Sequence, residues 1–255
     1  MYDMNILPEI PDSSRSNYGI TNLSLPDTVI KQICNMPWTA ISCEDLLCIA
    51  HAYYYFSIQF RENLEIACEL YPYDENLKAL YAEECHTDNL SPWPGVAEPG
   101  ERLNHDDFMQ RALLLQPADR TDHLQRAGAS YLEIVRRVDK STRARSIASY
   151  EDSGLSSVFL AILRAPCWDG AALQAFRFFL EQHILFDSAT DSGHGALCRH
   201  LSPDASILPL WVAFRDMLTS AAPRLAETCF KHGRAKSEPS GVDRLACRHR
   251  TPELP

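Results

Sequence analysis

No run of about eighteen apolar residues occurs in this chain, so no segment is expected to cross a membrane as a helix. The first residues, MYDMNILPEIPDSSRSNYG, carry no basic stretch followed by an apolar one, so no secretory signal is expected. Positive charge is scarce: 24 Lys and Arg stand against 34 Asp and Glu, for a net charge of −10. That balance disfavours nucleic acid and anionic membrane surfaces as partners. The basic cluster from Arg136 to Arg145 reads as a solvated helix end or loop, not as an anion site. The nine cysteines include no CxxC pair, and their odd count and irregular spacing argue against a disulfide framework or a clustered zinc site. Reduced thiols and a cytoplasmic location are therefore expected. Sustained period-two alternation of apolar and polar residues is also missing, which argues against a sheet.

Helical periodicity fills most of what remains. Residues 1–25 are rich in Pro, Ser and Asn and read as a loose arm, and residues 231–255 form a polar tail without apolar period, expected to be disordered. The folded part is then residues 26–230. Ser42 followed by Glu44 and Asp45 opens one long apolar stripe that runs to Leu70. Asp74 is placed to cap the next helix, and a Pro/Gly-rich connection, SPWPGVAEPGERLN, leads to HDDFMQRALLL. Four more periodic segments follow. Together they predict an all-α domain, a bundle of about seven or eight helices.

Six residues on these helices combine metal-ligating chemistry with apolar positions: Glu84, His105, Glu151, His183, Asp187 and His194. Leu77, Leu80, Tyr81 and Glu84 fall at i, i+3, i+4 and i+7, so Glu84 shares an apolar face. Glu151 heads YEDSGLSSVFLAIL in line with Leu155, Val158, Phe159 and Ile162. The densest segment is FRFFLEQHILFDSATDSGHGAL, where Phe176, Leu180, His183 and Asp187 line one face and His194 follows. A carboxylate on a buried face is costly unless something positive compensates it. A metal ion would do so. A plain buried hydrogen-bonded pair of His183 and Asp187, or a dipole-stabilising acid at Glu151, would account for the same residues singly. Carboxylates and imidazoles drawn from several facing helices are the pattern of a non-haem diiron site. Oxygen and nitrogen donors without thiolates suit iron or manganese.

In order and in local phrasing, these residues resemble the haem-oxygenase-like diiron oxidases and oxygenases, which share the fold of haem oxygenase, the thiaminase TenA and the quinone-cofactor synthase PqqC. YEDSGLSSVFLAIL is similar to the family's Glu-bearing helix, FLEQHILFD…HG to its His-Asp-His helix, and NHDDFMQRALLL to the segment after its first His. The likeness spans roughly residues 45–220. It implies two ferrous ions per chain held by the six residues, and dioxygen as co-substrate. It further implies a small, amino-acid-derived substrate oxidised by N-oxygenation or by C–C or C–N cleavage in specialised metabolite biosynthesis. A reductase or other electron donor and a homodimer would be the partners. A cofactor-free enzyme of the same fold, with Cys85 or Cys198 as nucleophile, and a non-catalytic helical binding protein are the alternatives.

Two spacings depart from the family. The Pro/Gly-rich connection separates Glu84 from His105, which leaves Glu83 and His86 as rival ligands. His194 comes seven residues after Asp187, and on a straight helix it would lie about 16 Å from His183. Either the chain unwinds through SATDSGHG, with Gly193 permitting it, or Asp191 takes a ligand position.

Overall fold

Ser42 starts the central helix as its cap: its hydroxyl accepts the Asp45 backbone N–H at 3.1 Å and donates to Asp45 Oδ2 at 3.0 Å. From there α2 runs 28 residues, Cys43–Leu70, with no Gly or Pro inside. The computed structural model describes residues 25–188 and 193–226. The arm expected over residues 1–25 and the tail over residues 231–255 lie outside the described residues, except that Leu25 already begins α1 (Leu25–Cys34). After α2 come α3 (Glu75–Glu84), α4 (His105–Leu114), α5 (Thr121–Arg136), α6 (Lys140–Ser149), α7 (Leu155–Ile162), α8 (Ala171–Ser188), α9 (His194–Cys198) and α10 (Leu208–Ala221). The protein is all-α, with ten α-helices among the described residues where seven or eight were expected. The surplus over the seven periodic segments is α1, α6 and α9.

The α2 helix packs against α3, α4, α5, α6, α8 and α10, and so forms the axis of the bundle. Its buried stripe of Leu46, Ile49, Tyr53, Phe56, Phe60 and Leu64 meets Phe159 of α7, Phe176 and Phe179 of α8 and Phe214 of α10. Each such ring removed from water stabilises the fold by about 1.5–3 kcal/mol. Polar groups on α2 are also buried, and they are paired. Gln59 donates to Tyr150 Oη at 3.0 Å and accepts from the Tyr131 hydroxyl. Asn63 donates to Ser146 Oγ at 3.0 Å and accepts from Arg143 Nε at 2.7 Å.

That last contact corrects one expectation. The cluster Arg136 to Arg145 begins as the solvated end of α5, where Arg136 and Arg137 are exposed, but beyond that it is not a solvated loop. Most of it is α6, which buries Thr142, Arg143, Ala144 and Ile147 against α2. Arg136 and Arg143 both pair with Glu62, Lys140 with Glu69 and Arg145 with Asp204, so the charges are used internally.

A second correction concerns the thiols. Cys43 and Cys167 are joined as a disulfide with Cα atoms 5.4 Å apart, tying the start of α2 to the connection between α7 and α8. Their 124-residue separation gives no sequence signal of the pairing. Cys34, Cys48, Cys68, Cys85 and Cys198 are free. Among the described residues no helix is long and apolar enough to cross a membrane.

Candidate metal centre

Leu77 and Leu80 bury one side of α3, and Asp74 caps it by accepting the Asn76 and Leu77 N–H groups. Glu84 is the last residue of this helix and is buried on the same side. Tyr81, expected there too, is 37% exposed, and Asp88 falls beyond the helix end and is exposed. The chain then leaves the bundle and returns. Thr87 and Leu103 exchange backbone hydrogen bonds at 3.0 and 2.9 Å, pinning the two ends of the Pro/Gly-rich excursion together. Asn104 Oδ1 accepts the His86 N–H at 3.0 Å, and Arg102 donates to the His86 carbonyl at 2.8 Å. The long connection is therefore closed at its base, and α4 starts with His105 beside Glu84. His86, the rival, has a left-handed backbone (φ 54°) and an exposed side chain.

Glu151 does not sit in the first turn of an uninterrupted helix, as its apolar register suggested. Between α6 and α7 the chain makes one wide turn, Tyr150–Gly154, in which Asp152 and Ser153 leave helical geometry and Ser153 has φ 77°. Such wide turns recur at functional sites because they re-aim one side chain. Here Glu151 is turned inward and buried, while Asp152 pairs with Arg199 at 2.9 Å on the surface. Gly154 is required: a Cβ there would lie 2.1 Å from the Ser149 carbonyl oxygen and 3.0 Å from the Trp211 ring.

The His183, Asp187 and His194 set is assembled across a helix break. His183 Nδ1 donates to the Phe179 carbonyl at 2.8 Å, and Asp187 Oδ2 accepts from the Ser156 hydroxyl of α7. The α8 helix ends at Ser188, and α9 begins afresh at His194, wedged against α3 and the wide turn. Gly195 permits this approach, since a Cβ there would be 3.1 Å from the Glu151 carbonyl oxygen. The break brings His194 back towards α8: its Nδ1 lies 3.6 Å from Asp187 Oδ1, where a straight helix would set the two residues about 10 Å apart. Asp191, the rival, lies outside the described residues.

All six expected residues therefore converge. Five of them form two groups of possible donor atoms, each within 4.8 Å of one another: Glu84, His105 and His183, and Glu84, Glu151 and His194. Glu84 belongs to both. Its Oε2 is 2.7 Å from His105 Nδ1, which in turn is 3.0 Å from His183 Nε2. Its Oε1 is 3.1 Å from His194 Nδ1, and Glu151 Oε2 is also 3.1 Å from that nitrogen. Asp187 stands beside the second group.

A count of protons shows what the arrangement lacks. His183 spends its Nδ1 proton on Phe179, so in its neutral form Nε2 is a lone pair. Asn89 donates from Nδ2 to the Glu83 carbonyl at 2.8 Å, so its Oδ1 faces His105 Nε2 at 3.1 Å and takes the proton there. Neutral His105 then also points a lone pair inward. His194 Nε2 faces Glu83 Oε2 at 2.9 Å, which leaves Nδ1 facing Glu84, Glu151 and Asp187. One N–H could serve only one of these acids. Glu84 Oε1 and Asp187 Oδ1 are buried without a hydrogen-bond partner.

The charge states respond accordingly. Burial alone would raise Glu84, but His105 and His194 outweigh it and hold the carboxyl well below its usual range. Burial pushes Glu151 up, and burial together with Glu151 pushes Asp187 up to about 9. Burial opposes a charge on His194, yet the Glu151 and Glu84 carboxylates that face Nδ1 raise it to about 12. Burial and the neighbouring His105 push His183 down to about 3. The acids demand positive charge at His194 Nδ1, from a proton or from a metal ion.

A cavity of about 20 Å³ adjoins the first group, lined by Tyr53, Phe60, Arg61, Leu155 and Phe179 besides the donors. Tyr53 is the tyrosine of α2 that lines this cavity. A wider cavity, about 760 Å³, is lined by none of the six residues. Sequence reasoning missed Asn89, Ser156 and the Phe179 carbonyl, because their roles depend on contacts with other elements. No family model, curated protein or solved structure matches the chain.

Proposed function

We propose that this protein is a non-haem diiron oxygenase or oxidase of the haem-oxygenase-like kind. It would use dioxygen to oxidise a small, amino-acid-derived substrate in specialised metabolite biosynthesis. One observation carries the reading: Glu84 offers one oxygen to each of two donor groups whose inward atoms can all be lone pairs. Buried acceptors without donors are costly, and the partnerless oxygens of Glu84 and Asp187 mark where cations would stand. Nitrogen and oxygen donors without thiolate fit iron.

In this reading Glu84, His105 and His183 hold one ion, and Glu84, Glu151, Asp187 and His194 hold the other. Ferrous iron held there supplies the electrons that dioxygen takes up. The rest falls to the chain. Tyr53, Phe60, Leu155 and Phe179 wall the cavity and keep bulk water from the centre. Its volume suits a guest the size of water or dioxygen, so a larger substrate needs the wall to open. Arg61 is the cation on that wall. Its bond to Asp106 anchors it, while its half-exposed pair with Glu65 contributes little and can be exchanged for a substrate carboxylate.

The thiol-based alternative finds no support. Burial and nearby acids push the Cys85 and Cys198 thiols up, which keeps them protonated and poor as nucleophiles. A purely structural helical protein would gain stability by replacing the buried acids, so it gives no reason for them. The test is anaerobic titration of the full chain with ferrous iron, followed by exposure to oxygen. Uptake of about two ions per chain and a transient visible absorption on oxygen exposure are expected. Unchanged iron uptake in both Glu84→Ala and His183→Ala would defeat the assignment.

A further inference from the structure

Glu83 is not among the donors of the centre, yet it bonds one half of it directly and the other through Asn89. It is the penultimate residue of α3, about 100° around the helix from Glu84, with a side chain 53% exposed. An acid at such a position ordinarily points into water. Here Oε2 instead lies 2.9 Å from His194 Nε2, the ring nitrogen turned away from the centre. The same residue's carbonyl, left over at the helix C-terminus, accepts Asn89 Nδ2 at 2.8 Å. That bond orients the amide so that Asn89 Oδ1 meets His105 Nε2 at 3.1 Å. One imidazole of each donor group is thus gripped from behind, and both grips start at Glu83.

We infer that Glu83 and Asn89 are positioning residues of the diiron centre. By hydrogen-bonding the outer nitrogens, they fix His194 and His105 in the tautomers and ring orientations that present Nδ1 lone pairs inward. This inference rests on the diiron reading above. The two grips are unequal. A carboxylate behind an imidazole raises the basicity of the ring more than a neutral amide does. Glu83 therefore favours the ion on the His194 side, and Asn89 supports the ion on the His105 and His183 side.

The test is anaerobic equilibrium titration with Co(II), competed by a chelator, with the two ions followed by their separate visible bands. The full-length chain is compared with Glu83→Ala, Glu83→Gln and Asn89→Ala, and metal-free melting is recorded for each. Glu83→Ala should weaken one ion by about 10–100-fold and leave the other near wild type. Glu83→Gln, which keeps an acceptor oxygen, should recover most of that loss. Asn89→Ala should weaken the other ion. Metal-free melting should scarcely move for the Glu83 variants, because the side chain is half exposed. Wild-type affinity for both ions in Glu83→Ala, or equal losses in Glu83→Ala and Glu83→Gln, overturns the inference. A wild-type chain that binds fewer than two ions overturns the diiron reading instead.

Discussion

His105 Nδ1 and His183 Nε2 face each other at 3.0 Å, and the outer nitrogen of each ring is bonded to an acceptor, Asn89 Oδ1 for His105 and the Phe179 carbonyl for His183. Two neutral imidazoles in that pose set lone pair against lone pair, with the Glu84 carboxylate 2.7 Å away. A cation between them would turn repulsion into ligation, as it would at His194.

Glu84 is common to both donor groups, whereas Glu151 and His194 belong to one. Glu84→Ala should therefore lower iron content after desalting from about two ions per chain to near none, and Glu151→Ala or His194→Ala from about two to about one. Colorimetric iron assay on anaerobically loaded protein gives the count. Equal losses in all three variants would remove Glu84 from its shared position.

Asp187 is costly to the metal-free protein, since burial and Glu151 both oppose its charge. Asp187→Asn keeps the acceptor for Ser156 and should stabilise the metal-free chain by about 1–3 kcal/mol. The rise in melting temperature on adding ferrous iron should shrink at the same time. Calorimetry with and without iron separates the two effects, and a destabilised metal-free variant would count against the unpaired-acid account.

The two glycines behind Glu151 should behave differently. Gly154→Ala drives a methyl into the Ser149 carbonyl at 2.1 Å and should cost more than about 3 kcal/mol in urea denaturation. Gly195→Ala meets the Glu151 backbone at 3.1 Å, where α9 can give slightly. It should cost about 1 kcal/mol or less while still weakening the ion on the His194 side.

Acid sensitivity should arise in part far from the centre. Burial would raise Glu62, but Arg136 and Arg143 outweigh it and hold its carboxyl below the usual range. A depressed folded-state value contributes stability that is present above the unfolded value, about 4.3, and is lost as pH falls through the folded one. Wild type should therefore exceed Glu62→Gln in urea midpoint at about pH 6, and the gap should narrow towards about pH 3. A gap constant across that range would rule out the ion pair as its source.

If the thiols are bystanders, Cys85→Ser and Cys198→Ser should each retain the wild-type iron count and oxygen consumption. Both are small buried side chains, so each should lower stability by about 0.5–2 kcal/mol. Loss of turnover with iron content intact would revive a nucleophilic role.

Much of the fold could be read locally. The Ser42 and Asp74 caps and the apolar stripe of α2 depend on neighbours a few residues away, and those interactions are the ones a periodic pattern reports. Glu84, His183 and Asp187 were legible for the same reason: an acid or imidazole in register with Leu77 and Leu80, or with Phe176 and Leu180, lies on the apolar face of its helix. The wide turn at Glu151 was harder to see, because YEDSG reads as an ordinary first turn until Trp211 and Ser149 close on Gly154. Arg143 looked like surface charge because its partners, Glu62 and Asn63, lie some eighty positions earlier.

The sequence by itself determined an all-α chain and a short set of acids and imidazoles, with a few rivals, as candidates to turn inward, since helix period and burial cost act over one or two turns. Only the tertiary structure decided that Glu84 serves two groups, that His105 and not His86 comes back beside it, and that His194 reaches Asp187 from a separate helix. Those outcomes hang on the Thr87–Leu103 clasp and on the break before α9. Both form between segments that meet only when the bundle closes, and neither leaves a periodic trace.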